Sequence, residues 1–153
     1  MKIPLMVRTY SEGLKPFCEV HFAYEPPYGR KVRGIFDAFV DTGSPYTIVC
    51  KTDALKMNLN STGDGRQIYL GGAPILLYPI RSPSLKVICE DKSICNIGIP
   101  TVNIALPIEG NKKSVDVAVY LKSIIGVDLL IHNRLALNFD PSRNVAYLEN
   151  PDK

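Results

Sequence analysis

Phe36-Asp37-Ala38-Phe39-Val40-Asp41-Thr42-Gly43-Ser44-Pro45 is the stretch on which the reading of this chain turns. Phe36, Ala38 and Val40 share one face of a period-two pattern, as a half-buried strand requires. That strand runs directly into a carboxylate, a hydroxyl, a glycine and a second hydroxyl. A carboxylate at the end of a buried strand is costly unless hydrogen-bond donors receive it. Thr42, the Gly43 amide and Ser44 stand immediately downstream as donors, and Gly43 lets the backbone turn closely around the acid. A second apolar run, Tyr46-Thr47-Ile48-Val49, follows. Asp-Thr-Gly is also an ordinary turn at a strand end, so the tripeptide alone does not define a site.

Working outward, the same alternation recurs. Cys18, Val20, Phe22 and Tyr24 fall opposite Glu19 and His21 and predict a strand over residues 17–24. Val115, Val117, Val119 and Leu121 alternate with Ser114, Asp116, Ala118 and Tyr120 and predict another over 114–121. Turn chemistry lies between such runs at residues 26–29, 110–113 and 140–144. Residues 51–57 and 128–133 suit short helices, the second with Leu129 and Leu130 inward. Residues 81–97 carry no clear assignment. The expectation is one all-β domain over 1–153, a closed or strongly curled sheet with one or two short helices.

Bulk properties narrow the function classes. The chain has 153 residues, 46% hydrophobic and 22% charged, as in globular proteins. No apolar run approaches the roughly 20 residues of a membrane span, and the opening Met1-Lys2-Ile3-Pro4-Leu5-Met6-Val7 is too short for a signal peptide. A cytoplasmic protein without a membrane partner is expected. Net charge is only +3. Arg30-Lys31-Val32-Arg33 and Lys112-Lys113 read as solvated turn charges, so no nucleic-acid partner is expected. Four cysteines without C-x-x-C spacing and two histidines argue against a metal site, and no cofactor is called for. Cys89 and Cys95 are spaced to face each other across a hairpin, but a reducing compartment favours free thiols.

The second informative stretch is Ser123-Ile124-Ile125-Gly126-Val127-Asp128-Leu129-Leu130, followed by Leu135-Ala136-Leu137-Asn138-Phe139. With Asp41-Thr42-Gly43-Ser44 ahead of it in the right order, the chain resembles the retropepsin-like (retroviral-type) aspartic proteases from about Lys15 to Leu148. The resemblance implies the closed, barrel-like retropepsin fold, with Asp41 catalytic and Thr42, Gly43 and Ser44 supporting it. Ile125, Gly126 and Asp128 would form the second motif, packed beside the first. A flap would fall in residues 67–77, with Gly71, Gly72 and Ala73 near its tip, although a Gly-Gly between apolar runs equally marks any structural hairpin. Many viral relatives carry an acid after the first motif and an arginine after the glycine of the second. Pro45 and Val127 stand there, so neither charge is left unpaired, and viral-style dimer support is in doubt.

Only one Asp-Thr-Gly is present, whereas aspartic proteolysis needs two carboxylates around one water. A two-fold dimer supplies the second. The resemblance therefore implies an aspartic endopeptidase, a homodimer acting on peptide or protein substrates. Within it, Thr42 is expected to bond across to the partner loop, Ser44 to donate to Asp41, and Ile75, Leu76, Leu77 and Val127 to line an apolar groove. Two alternatives stay open. One is a non-catalytic peptide-binding or dimerisation module of the same fold. The other is an unrelated β-barrel that binds nucleic acid, against which the placement of tyrosines and phenylalanines in strand alternation counts.

Overall fold

Alternation over residues 13–40 produces the spine of the molecule. The computed structural model describes residues 1–152. After β1 (Lys2–Pro4) and β2 (Met6–Tyr10), strand β3 (Gly13–Tyr24) runs antiparallel to β4 (Val32–Val40), from Phe17 opposite Phe39 to Tyr24 opposite Val32. Cys18, Val20, Phe22, Phe36, Ala38 and Val40 are all buried on the inner face. Next come β5 (Ile48–Cys50), α1 (Lys51–Lys56), β6 (Arg66–Leu70), β7 (Ala73–Arg81), β8 (Ser84–Ile88) and β9 (Ile94–Asn96). The chain continues through β10 (Thr101–Pro107), α2 (Lys112–Tyr120), β11 (Ser123–Ile125), α3 (Val127–His132), β12 (Ala136–Asp140) and β13 (Val145–Glu149).

The fold is mostly β, in two sheets. The larger has the order β6-β7-β10-β5-β11-β4-β3-β8-β9, with β2 also paired to β3, and the smaller is β1-β13-β12. The large order ends at β6 and β9, and no ladder joins those ends among the described residues, so the expected closure into a barrel is not detected. One core cluster gathers Val20, Phe36, Val87, Ile125 and Leu129 with the terminal Ile3 and Leu148. A second gathers Ile48, Ile75, Leu77, Ala105, Ala118 and Ile124 under α2. Burying one such side chain contributes roughly 1.5–3 kcal/mol. No helix is long and apolar enough to cross a membrane among the described residues.

Three expectations need correction. Residues 114–121, expected as a strand, lie mostly in helix α2. Asn111 caps that helix, its side chain accepting from Ser114 N at 3.0 Å. Ser114 and Ala118, one turn apart, face inward, while Val115 and Val119 are exposed. The alternating valines therefore misstate the buried face. Three helices result, not one or two. Residues 81–97 resolve into the end of β7 and the hairpin β8–β9, paired from Lys86–Asn96 to Ile88–Ile94. Cys89, just past β8, and Cys95 of β9 form a disulfide, replacing the expected free thiols. The hairpin also grips the N-terminal strand, for Glu90 N donates to Lys2 O at 2.8 Å and Lys2 pairs with Glu90 at 3.1 Å.

Cys18 and Cys50 are the free thiols among the described residues, and both are buried. Burial pushes Cys18 up to about 12 and raises Cys50 as well. Thiol reagents at pH 8 are thus expected to leave the native protein unmodified, to titrate two thiols in denaturant, and to titrate four once reductant is added. The burial of Cys18 as a neutral thiol stabilises the fold fully below pH 9, and that contribution is lost as pH rises from about 9 towards 12. Replacing both Cys89 and Cys95 by serine is expected to lower unfolding free energy by about 2 kcal/mol for so short a loop, read from denaturant midpoints.

Candidate active site

Strand β4 delivers Asp41 to one end of the large sheet, and β11 delivers Gly126 to the same end. The reason is the parallel pairing of the two strands, Ser123 beside Ala38, Ile124 beside Phe39 and Ile125 beside Val40. Ile124 also meets Ile48 of β5. Thus β11 runs between the two strands that flank the loop of residues 41–47, and its end is pressed into the mouth of that loop.

The loop is built around its acid. Gly43 N donates to Asp41 Oδ1 at 2.9 Å, and Ser44 N donates to Asp41 O at 3.2 Å, closing a tight turn. Asp41 N donates to Ile125 O at 3.0 Å. Asp41 is half-buried, Thr42 and Gly43 are exposed, and Asp41 Oδ2 accepts no hydrogen bond among the described residues. The Ser44 hydroxyl does not turn to Asp41, as the sequence led us to expect. It is buried and donates to Tyr46 O at 2.9 Å. Its role is to hold the shape of the turn.

The second motif straps this loop down. Val127 N donates to Ser44 O at 2.8 Å. Gly126 N donates to Thr47 Oγ1 at 3.1 Å, while that hydroxyl donates to Asp128 Oδ1 at 2.7 Å and Thr47 N donates to Asp128 Oδ2 at 3.0 Å. Leu129 N adds a further bond to Asp128 Oδ1 at 2.8 Å. A half-buried carboxylate with three donors is satisfied without a cationic partner. Gly126 is dictated by space, since a Cβ there would lie 2.4 Å from Tyr46 O and 2.8 Å from Ser44 O. Both obstacles are backbone carbonyls that cannot swing aside.

Further support comes from residues the sequence reading passed over. Thr47, 5% exposed, is the one aliphatic hydroxyl inside an apolar run, and that oddity was its available signal. The Ser123 hydroxyl donates to Asp53 Oδ2 at 2.6 Å and accepts from Cys50 N at 3.0 Å, tying α1 and β5 to β11. Nothing local in the sequence couples positions 53 and 123.

The glycine-containing hairpin exists and comprises β6 and β7, paired from Arg66–Leu77 to Leu70–Ala73. Gly71 and Gly72 make its two-residue turn with φ of 56° and 77°, the left-handed pair that a type I′ turn demands. Ala73 is buried, so its side chain faces the protein. Ser114 Oγ donates to Pro74 O and binds the hairpin to α2. The Arg66 guanidinium lies 4.9 Å from the Tyr46 ring centroid, which joins the base of the hairpin to the Asp41 loop. Of the residues expected to line an apolar groove, Ile75 and Leu77 are buried in the second core cluster and cannot do so, whereas Leu76 and Val127 are half-buried.

No protein-family model matches the sequence, and neither does any curated protein. Among solved structures, the fold is similar to that of a retropepsin-like aspartic protease from Rickettsia conorii, with a TM-score of 0.52 and 16% identity. The superposition covers 97% of this chain and 89% of that one. At such identity the likeness bears on the fold alone, a mostly-β architecture similar to that of this neighbour.

The strap accounts for two measurable costs. Gly126→Ala is expected to destabilise the protein by more than about 2 kcal/mol, since backbone must shift to admit the methyl group. Thr47→Val keeps the volume but leaves the Gly126 amide and one Asp128 oxygen short of a partner, at a cost of about 1–3 kcal/mol. Denaturant unfolding of both variants, compared with Val115→Thr at the exposed face of α2, checks the assignment.

Proposed function

We propose that this chain is an aspartic endopeptidase that works as a homodimer, with one Asp41 carboxylate from each subunit flanking a shared water. The observation that carries the reading is the state of the Asp41 loop: its acid is fixed by Gly43 N on one oxygen and carries no partner on the other, at an exposed tip. The Gly126–Asp128 strap rigidifies this tip, and the fold resembles that of a retropepsin-like protease. An acid held this firmly yet left half-satisfied suits a second carboxylate brought up by two-fold symmetry.

The chemistry follows from that pairing. Two carboxylates in hydrogen-bond reach do not both ionise, so the pair holds one proton. The ionised member takes a proton from the water as its oxygen attacks the peptide carbonyl carbon. The protonated member gives its proton to the carbonyl oxygen. Breakdown of the tetrahedral intermediate returns the carbonyl, passes a proton to the nitrogen and releases the amine. Thr42 and Gly43 would be covered by the partner loop, and the Gly71–Gly72 hairpin is the segment suited to close over substrate. Leu76 and Val127 favour apolar side chains beside the scissile bond.

Asp41→Asn is expected to abolish peptide cleavage, by at least about a thousandfold, while circular dichroism and sedimentation stay as in the parent. Specific activity should fall on dilution in step with the dimer fraction measured by sedimentation. Full cleavage by the Asp41→Asn variant, or undiminished activity in a demonstrated monomer, would overturn the reading. Because the Ser44 hydroxyl serves the Tyr46 carbonyl, Ser44→Ala is expected to cost about 1 kcal/mol of stability and to leave the acidic limb of the pH–rate profile unmoved.

A further inference from the structure

A cleft of about 620 Å3 opens on the outer face of β3, β4 and β8, at the end of β4 away from Asp41. Register places its walls. On the outer face, His21 of β3 stands between Ile35 of β4 and Lys86 of β8, and Ala23 stands between Arg33 and Ser84. Lys31 and Glu25 extend the two central strands, and Ser82 completes the rim. The counterion balance is uneven. Lys31, Arg33 and Lys86 make no ion pair among the described residues, Glu25 is the cleft's one carboxylate, and His21 is already paired with Glu19 at 3.0 Å. The hydroxyls of Ser82 and Ser84 likewise make no hydrogen bond among the described residues. Beneath these groups the floor carries Ile35, 62% exposed, and Ala23.

We infer that this cleft binds a small anion of at least two charges, a phosphate ester or a paired carboxylate, whose apolar body rests on Ile35. Arg33 offers a planar fork that matches either anion with two bonds, and Lys31 and Lys86 supply point charges from two sides. The free serine hydroxyls add neutral donors, and the volume lies in the range of small-molecule sites. Residues that look like scattered surface charge and polarity in sequence meet here because β8 pairs with β3 next to β4. Arg33 and Asp41 are separated by eight residues of nearly extended chain, roughly 26 Å at about 3.3 Å per residue. The site is therefore distinct from the Asp41 loop and does not rest on the protease reading.

Titration of the full chain with phenyl phosphate and with isophthalate, followed by calorimetry and amide NMR at low salt, tests the inference. The expected result is saturable binding of at least one probe, with shifts confined to residues 21–25, 31–35 and 82–86. Arg33→Ala and Lys86→Ala should each weaken that binding about tenfold, as for one charge-assisted hydrogen bond lost. Binding of phenyl phosphate alone would name the ligand a phosphate ester, and isophthalate alone a dicarboxylate. Failure of both probes to saturate, or undiminished binding by the Arg33→Ala and Lys86→Ala variants, would overturn it. Asp41→Asn should bind as the parent does, so loss of cleavage and loss of anion binding separate cleanly.

Discussion

Everything at the sheet end of this molecule depends on the closeness of Gly126 to the carbonyls of Ser44 and Tyr46. A Cβ at 2.4 Å from a carbonyl oxygen is forbidden, so glycine at that position permits β11 to lie between β4 and β5 with its end inside the loop of residues 41–47. Once β11 is seated there, it offers Ile125 O to Asp41 N, and Val127 at the start of α3 donates its amide to Ser44 O. The loop cannot relax without breaking these bonds. Its rigidity begins with a contact between backbones.

Polar groups complete what the close contact begins. Thr47 and Asp128 form a compact network in which every donor is neutral and the single charge is spread over three N–H or O–H partners. Such an arrangement holds two distant segments together without desolvating a salt bridge, whose burial costs often exceed the Coulombic return. Its chain neighbours fall into the two apolar clusters, Val49 and Leu129 into the larger and Ile48 into the one under α2. Apolar packing thus supplies the bulk of the stability, and the network fixes the register of the loop.

The outer faces follow a different logic. At one end of β4 the sheet presents Asp41, with an oxygen left free of partners. At the other it gathers Arg33, Lys31 and Lys86 with little counter-charge. Arg8 and Asp37, by contrast, pair directly midway along the same surface, and the pairing raises Arg8 further above its ordinary value. The strand therefore separates neutralised charge from charge left available, and the available charge marks both places where ligands are proposed to meet the protein.

The strands over residues 17–24 and 36–40 were legible because period-two alternation is a local property, and so was the turn at Gly71–Gly72; residues 32 and 33, read as turn charges, belong to β4. The pairing of the Asp41 and Gly126 motifs was legible through resemblance, since their order and residue types survive at low identity. Helix α2 was not, because alternating valines imitate a strand, and the Asn111 cap and the inward Ser114 and Ala118 decide only when β7 and β10 are there to receive them. The facing of Cys89 and Cys95 was legible in their spacing, but the bond itself ran against the reducing compartment expected. The burial of Ile75 and Leu77 could not be read locally, because it depends on packing against β10 and α2. The chain alone determined where an acid is held at the end of a strand; tertiary packing decided which of its neighbours hold it, and gathered Lys31, Arg33 and Lys86 around one cleft.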